Sequence, residues 1–331
     1  MVKYIVKRLI LAVFIMVGVS FIIYCILRLM PMNYVEQQIA SLSGATKFTE
    51  EMIQQQLKQY GLDDNSFLGI IKGYFSWLGN FAKGELGVSW VHGEEVSKLI
   101  VSKMGVSFGI SLVSFILELI IAVPLGIKCA VNQYGKLDYA ATVVCMTLMA
   151  FPTFFLGNLF IKWFSEGLGW FPIGGLKGNL AIDANWWQKF TDMLWHLVIP
   201  MTVLVLLNVG SYMRYQRTNT LEVLNADYIR TARAKGLSEG KVVYKHVFRN
   251  TMIPLVTVMA STLPMLFGGA MITETVFNIE GIGKITYDAL MKGDIPLAMG
   301  YNMFIAILTV IGILLSDIMY AVVDPRVKLG K

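Results

Sequence analysis

The sequence predicts an all-α integral membrane protein with six transmembrane helices, and two observations support this fold class. Hydrophobic residues make up 56% of the 331 residues and charged residues only 15%, whereas soluble domains carry about 25% charged residues. The apolar residues are also gathered in runs of about 20, the length at which a helix crosses roughly 30 Å of hydrocarbon. A water-soluble protein with one very large core would not segregate its apolar residues in this way.

The first apolar run, residues 9–27, follows the cations Lys3, Lys7 and Arg8. A secretory signal peptide also begins with positive charge, but its apolar region covers only about 7–15 residues and ends at a small-x-small cleavage site. This run is longer and is followed by "RLMPMN", which contains no such site. We therefore predict an uncleaved first span, within an N-terminal segment of residues 1–31.

Residues 32–104 form the second predicted segment. They mix polar residues with short amphipathic stretches, and no run among them is long enough to cross a membrane. We predict an extracytoplasmic region here. Within it, "TEEMIQQQLKQYG" predicts a short helix that Thr49 caps at its start and Gly61 ends.

Residues 105–331 are predicted to form a five-helix core. Several of its apolar runs contain proline, which membrane helices tolerate when neighbouring groups satisfy the freed carbonyl. Residues 216–251 form a polar, basic loop between two of these spans. The approximate ranges of the five spans are 106–128, 138–161, 196–215, 252–276 and 297–320.

The distribution of charge predicts the orientation. Six spans place both termini on one side of the membrane. If that side is the cytoplasm, most Lys and Arg residues of the short loops and tails lie there, and the external segments carry a slight excess of acids; the whole chain has a net charge of +6. The positive-inside rule then favours cytoplasmic termini and a cytoplasmic location for the loop of residues 216–251.

The stretch "ADYIRTARAKGLS" predicts a short helix in this loop. Asn225 is suited to cap its N-terminus by accepting from a free backbone N–H. Asp227 in the first turn, and Arg233 and Lys235 in the last, complement the helix dipole. A helix of about 10 residues is marginal in water, so packing against the protein's own spans or against a partner must order it.

The sequence also predicts where this helix ends. Gly236 is suited to the left-handed residue that closes a helix, and Ser238 can cap a second helix through "EGKVVYKHVFRN". The alternative is a basic juxtamembrane loop attracted to anionic lipid, but such a loop requires no sharp turn. Small residues between the charges would also let the helix seat closely in a groove: Ala226, Thr231, Ala232, Ala234 and Gly236.

Two acidic residues, Glu118 and Asp317, fall within predicted spans. An ionisable group at this depth is by default a candidate functional residue. Glu118, near the middle of its span, is either a polar contact in a translocation path, a proton site of a secondary transporter, or a buried carboxylate that a neighbouring helix satisfies. Asp317, near the end of its span, is better explained as a buried carboxylate that a neighbouring helix satisfies.

Several motifs resemble one family of membrane proteins. "DYIRTARAKGLSEGKVVYKHVFRNTMIPL" resembles the cytoplasmic coupling loop of ABC-importer permeases, and more narrowly that of the first permease subunit of oligopeptide and dipeptide transporters. The resemblance covers nearly the whole chain, because other family elements follow in order: "YGLD" with "GELGVSW", "AFPTFFLG", "GWFPIGG", "ETVFNIEGIGKI" and "DPRVK".

Two departures from the family pattern are visible. The general Glu-Ala-Ala motif reads Arg230-Thr231-Ala232 here, as is usual for the peptide-type subgroup. "LMPMN" stands where the family often has Pro-Gly-Asp-Pro after the first span.

The resemblance implies a type I ABC-importer permease in a bacterial inner membrane. It implies a second homologous permease subunit, two cytoplasmic ATPase subunits and an external binding protein that delivers peptides. Glu118 becomes a candidate for the translocation path. The residues expected to contact the ATPases are Asp227, Tyr228, Arg230, Thr231, Ala232, Arg233, Ala234, Lys235, Gly236 and Leu237.

The sequence predicts no catalytic residue, cofactor, metal or nucleic-acid site in this chain. A P-loop needs G-x-x-x-x-G-K-[ST] to cradle phosphates. Three Gly-Lys pairs are followed by Leu137, Val242 and Ile285 instead of Ser or Thr. ATP and magnesium are therefore expected on partner subunits. Three alternatives to a peptide permease stay open: a nickel or other small-solute permease of the same family, a proton-coupled secondary transporter, and a structural anchor.

Overall fold

The fold was analysed in a computed structural model, which describes residues 2–29, 64, 66–178, 180–181 and 183–323. The predicted helix beginning at Thr49, the motif "YGLD", the tail "DPRVK" and the side chain of Asp317 lie outside the described part.

The protein is nearly all helical within these residues, which confirms the predicted class. Apart from one isolated bridge between Val88 and Glu95, its regular elements are helices. They are α1 (Val2–Arg28), α2 (Phe67–Ala82), α3 (Val96–Val131), α4 (Lys136–Ala150), α5 (Thr153–Phe160, continued by a π-helical segment, Ile161–Gly167), α6 (Trp186–Leu224), α7 (Asp227–Ala234), α8 (Glu239–Lys241, continued by a π-helical segment, Val242–Val247), α9 (Phe248–Phe267), α10 (Met271–Val276), α11 (Ile282–Lys292) and α12 (Ile295–Val323).

Four of the described helices are long and apolar enough to cross a membrane: α1, α3, α6 and α12. A fifth span results if α4 and α5 with its π-helical segment are counted together, although they are bent by 99°. The predicted count of six therefore stays a prediction, as do the boundaries of the three predicted segments.

The bend between α4 and α5 interrupts the span predicted at 138–161. Phe151 is extended, with φ −77° and ψ 135°, and Pro152 follows it as the N-cap of α5. Proline disfavours helical geometry in the residue before it and has no N–H to donate. The proline in "AFPTFFLG" therefore turns the chain sharply within the predicted span.

The span predicted at 252–276 is also broken. Helix α9 ends at Phe267, and α10 begins at Met271. Gly269 between them has φ +73°, a conformation that glycine adopts at no steric cost. The chain thus continues as a separate short helix instead of as one long span.

Helices α3 and α6 form the central pair of the core. Gly126 of α3 lies so close to α6 that a Cβ there would be 2.6 Å from the Met213 carbonyl oxygen. Small residues permit this close approach of two membrane helices. Ala122, Val203 and Val209 are buried around the contact.

Helix α2, from the segment predicted to be external, packs against α1 and the start of α12. The Tyr74 hydroxyl donates to the Val17 carbonyl at 2.9 Å and lies 2.8 Å from Ser20 Oγ. Val17 and Ser20 lie in the middle of the first predicted span. Tyr74 therefore reaches from α2 to residues well inside the apolar part of α1.

Candidate functional site

The polar, basic loop of residues 216–251 contains the predicted short helix, α7, but its start differs from the prediction. The N-cap position is Ala226, which makes no side-chain capping hydrogen bond. Asn225 instead belongs to the end of α6, where its Nδ2 donates to the Leu221 carbonyl at 2.9 Å. The predicted Asn225 cap is wrong because α6 continues to Leu224 and uses this side chain.

The glycine turn after α7 is confirmed. Gly236 has φ +77°, and its N–H donates to the Arg233 carbonyl at 2.9 Å. The next N–H, of Leu237, reaches back to the Ala232 carbonyl at 3.4 Å. These bonds satisfy carbonyls that the end of a helix leaves without partners.

An ion pair fixes the two sides of this turn. The Arg233 guanidinium donates two hydrogen bonds to Glu239, at 2.6 and 3.1 Å. Arg233 holds the pKa of the Glu239 carboxyl below its usual value, and Glu239 raises the pKa of Arg233. Ser238 does stand at the N-cap of α8, as predicted, but without a side-chain capping bond.

The inner face of α7 packs on the chain's own helices. Ile229 and Ala232 are buried together with Val242 and Val247. Ala232 was expected among the residues that a partner contacts. In the structure it lies against the same chain, so it supports α7 from beneath.

The outer face of α7 and its turn is exposed, and we call it the coupling face. Thr231 and Ala234 provide small side chains there, while Lys235 adds charge and Tyr228 adds an aromatic ring. A short helix with a packed inner face and a free outer face is suited to contact a partner without refolding. The exposed members of the predicted set are Asp227, Tyr228, Arg230, Thr231, Arg233, Ala234, Lys235, Gly236 and Leu237.

Glu118 lies at a polar cavity of about 150 Å³ between α3, α6 and α9. Only 5% of this residue is exposed, and the Asn208 side chain is its hydrogen-bond partner. No Lys, Arg or His pairs with it in the described part of the chain. The polar residues that line the cavity are Ser111, Ser114, Glu118, Asn208, Tyr212 and Thr262.

The cavity retains unused hydrogen-bonding capacity. The Ser114 hydroxyl is buried and has no partner, and the contact between the Tyr212 and Thr262 hydroxyls is long at 3.5 Å. Asn208, at the rim, is exposed even though it lies mid-way along α6. The cavity therefore opens toward a surface that this chain does not cover.

A second buried carboxylate, Glu274, was not singled out from the sequence. Only 1% of this residue is exposed. Its two oxygens accept from the Ala270 N–H at 3.1 Å and the Lys284 N–H at 3.0 Å. Ser107 of α3 also bonds to this carboxylate, and its Oγ accepts from the Ile282 N–H at 2.8 Å.

This arrangement explains the motif "ETVFNIEGIGKI". Glu274 comes from α10 and is held at the N-terminus of α11, where backbone N–H groups favour an anion. Gly281 and Gly283 pass so close to the carboxylate that a Cβ at either would collide with it. The motif is thus a clamp that joins α10, α11 and α3. The signal available in the sequence was an acid seven residues before a glycine-rich helix start.

Asp294 likewise holds the segment that contains "GELGVSW" in place through hydrogen bonds. It is fully buried and accepts from Ser89 Oγ at 2.6 Å and the Val91 N–H at 3.0 Å. Its other oxygen accepts from the Leu297 N–H at 3.2 Å. The loop before α3 is thereby tied to the start of α12. Within the described ranges, no group of three or more His, Cys, Asp or Glu residues is placed to hold a metal ion.

Comparisons with known proteins support this interpretation of the motifs. Residues 122–329 match the family model described as "Binding-protein-dependent transport system inner membrane component". The chain is 35% identical to the oligopeptide transport system permease protein AppB of Bacillus subtilis (strain 168), over 99% of this chain and 100% of that protein. A putative peptide permease protein of Brucella suis biovar 1 is also 35% identical, over 99% of both chains.

A more distant relative and one solved structure complete the comparison. The peptidoglycan transport system permease protein YejB of Agrobacterium fabrum is 29% identical, over 98% of this chain and 97% of that protein. A chain of the methionine ABC transporter MetNI, solved in inward-facing conformations, matches with a TM-score of 0.52 and 18% identity. The match covers 70% of this chain and 98% of the MetNI chain, and it shows a shared fold.

Proposed function

The chain belongs to the family of binding-protein-dependent transport system inner membrane components, and we propose from this premise that it forms part of the translocation path for peptides. As a permease component of an ABC importer it is not itself an enzyme. Peptide as the substrate is supported by the names of relatives that match over their full length. The observation that carries the coupling role is the pre-folded loop, with its buried inner face and exposed coupling face.

The loop is connected so that movement of α7 reaches the spans. Its inner face packs on the π-helical segment that leads directly into α9. Gln216 of α6 donates to Thr251 Oγ1 of α9 at 2.8 Å and to Thr220 Oγ1 at 3.3 Å, all three being fully buried. Displacement of α7 by an ATPase would therefore move α6 and α9 together. ATP would drive this only by binding the two conformations with different affinity.

We also propose the assembly. ATPase and substrate-binding subunits follow from the family; two copies of the ATPase, carrying ATP and magnesium, and a second homologous permease are the finer proposal. The exposed Asn208 supports a second permease, because a polar side chain facing lipid at this depth is unfavourable. A neighbouring subunit, or a water-filled path between the two, would remove that cost.

The test of the function is transport in vesicles that contain this chain with its partner permease, ATPases and binding protein. Uptake of a labelled peptide should require ATP and the binding protein. The alternative cargo within the family is tested in the same vesicles with Ni²⁺. Uptake of Ni²⁺ without peptide uptake would contradict the peptide assignment while leaving the importer mechanism intact.

We propose that both termini and the coupling face lie in the cytoplasm, and we expect cysteine labelling to show this. In a background without Cys25, Cys129 and Cys145, a membrane-impermeant maleimide should label Leu180→Cys from outside intact cells. It should label Lys235→Cys only after the membrane is opened. The positive-inside distribution of Lys and Arg is the reason. Labelling of Lys235→Cys in intact cells would reverse the orientation and remove the coupling face from the ATPases.

Glu118 is proposed to line the path, and Glu118→Gln tests this. Glutamine preserves the size of the side chain and can still bond to Asn208, but it cannot carry a charge. We expect normal assembly and a several-fold lower transport rate or an altered peptide preference in reconstituted vesicles. The matched control is Glu166→Gln, which removes an exposed carboxylate in the π-helical segment after α5 and should leave transport unchanged. Equal rates for both variants would place Glu118 outside the path.

A further inference from the structure

A separate groove runs along the contact between α4 and α6, on the side of the molecule that carries the coupling loop. Its volume is about 210 Å³. Met146, Met149 and Cys145 line its apolar part, while Tyr139 and Arg214 lie toward its outer end. Tyr139 and Met146 are more than half exposed, so the groove is open along its length. It is distinct from the cavity at Glu118 and from the coupling face.

The charge at the outer end of the groove is not balanced. Asp138 and Arg217 form a two-bond ion pair, with distances of 2.6 and 2.7 Å, and thus cancel one another. Arg214 is exposed. No carboxylate of the described chain lies within ion-pair distance of its guanidinium. One uncompensated positive charge therefore remains at the groove.

A turn holds an aromatic ring beside this charge. Tyr134 adopts φ +61°, which costs energy for a residue with a side chain, and its N–H donates to Asp138 at 2.9 Å. Tyr134 is 69% exposed and lines the groove. Tyrosine with one apolar and one polar end is well suited to the membrane–water boundary.

The length of the groove matches one leaflet. Its lining extends along α4 from Asp138 to Met149, a rise of about 16 Å at roughly 1.5 Å per residue. Half of a hydrocarbon core is about 15 Å. The groove closes where Gly210 permits close contact, since a Cβ there would meet Met149 Sδ and Cys145 Cβ within 3 Å. It is therefore charged at one end and apolar over a length comparable to that of one leaflet.

We propose that this groove binds an anionic phospholipid of the cytoplasmic leaflet. The phosphate lies against the Arg214 guanidinium, with the hydroxyls of Tyr134 and Tyr139 as additional donors. One acyl chain lies on Met146 and Met149. Basic sites between spans on the cytoplasmic side are suited to anionic headgroups. A second permease subunit is the less suitable occupant, because it would have to bury the Arg214 charge against a carboxylate of its own.

The experiment uses the purified importer complex after removal of bound lipid. We expect native mass spectrometry to show retention of added phosphatidylglycerol over phosphatidylcholine. Arg214→Gln should reduce the retained phosphatidylglycerol about fivefold and leave phosphatidylcholine unchanged. Arg249→Gln, which removes an exposed positive charge at the start of α9, is the matched control and should retain wild-type levels.

Three outcomes would overturn the proposal. Equal retention by Arg214→Gln and the wild type would show that the charge is not used. Equal losses in Arg214→Gln and Arg249→Gln would indicate general attraction to a basic surface rather than a site. A cross-link from Met146→Cys to the second permease, formed in native membranes, would show that protein and not lipid covers the groove.

Discussion

Ala232→Glu is expected to abolish coupling while the membrane spans remain folded. Ala232 is only 7% exposed and lies among Ile229, Val242 and Val247. A carboxylate cannot be hydrated or paired in that cluster, and burying it unpaired is strongly unfavourable. The helix should therefore swing away from the chain, so that the coupling face no longer has a defined position. We expect transport and ATPase co-purification to fall about tenfold or more, which corresponds to at least roughly 1.4 kcal/mol of docking free energy.

Two further variants separate local damage from general instability. Lys241→Ala removes an exposed charge near the same turn and should be close to wild type. Gly236→Val should give an intermediate loss. A Cβ at Gly236 would meet nothing within 4 Å, so the cost is confined to the left-handed backbone, on the order of 1–2 kcal/mol. Full ATPase binding and transport by both Ala232→Glu and Gly236→Val would show that this loop is not the coupling element.

The coupling loop also shows which structural features the sequence could predict. Gly236, Asp227 and Arg233 act where their backbone or dipole preferences placed them, because those preferences are local. The assignment of Ala232 to a partner-facing surface missed its burial, because the partners Val242 and Val247 come from the next helix. The sequence shows apolar residues at positions 229, 242 and 247. It does not show that their side chains are in contact, because that depends on the geometry of the turn at Gly236.

The membrane spans likewise include features that the sequence predicted and features that it did not. Apolar length correctly located α1, α3, α6 and α12, since the requirement to cross hydrocarbon acts on each segment separately. The breaks at Phe151–Pro152 and at Gly269 were not predicted. Proline and glycine are common in membrane helices, and whether one bends the chain depends on the contacts beyond it. Glu274 escaped notice for a related reason, because its partners lie near residues 107, 270 and 284.

The buried carboxylates therefore divide into two kinds. Glu274 and Asp294 have their oxygens occupied by backbone N–H and Ser hydroxyl groups of the chain itself, which is the mark of a structural role. Glu118 has one amide partner beside a cavity with a buried, unpartnered Ser114 hydroxyl. A polar substrate in the path could form hydrogen bonds with these unoccupied groups.

Glu274→Ala should produce a large loss of stability. Removing the carboxylate leaves the Ala270 and Lys284 N–H groups buried without acceptors, and each such group costs about 1–3 kcal/mol. The N-terminus of α11 also loses its anion. We expect the melting temperature of the purified subunit to fall by about 3–8 °C, since an unfolding entropy of about 2.1 cal/mol/K per residue means that roughly 1 kcal/mol shifts it by about 1.4 °C in a chain of 331 residues. Membrane levels in cells should fall as well.

Glu274→Gln tests whether both oxygens are needed. An amide of the same size retains one acceptor, but it presents an NH₂ group to the second backbone donor, so the expected loss is about half that of Glu274→Ala. Glu280→Gln is the matched control. It removes an exposed carboxylate of the same motif whose ion pair with Lys103 spans 2.8 Å at the surface, and such pairs contribute about 0–1 kcal/mol. If Glu274→Gln and Glu280→Gln melt at the same temperature, the clamp at the start of α11 does not stabilise the fold, and the close approach of Gly281 and Gly283 needs another explanation.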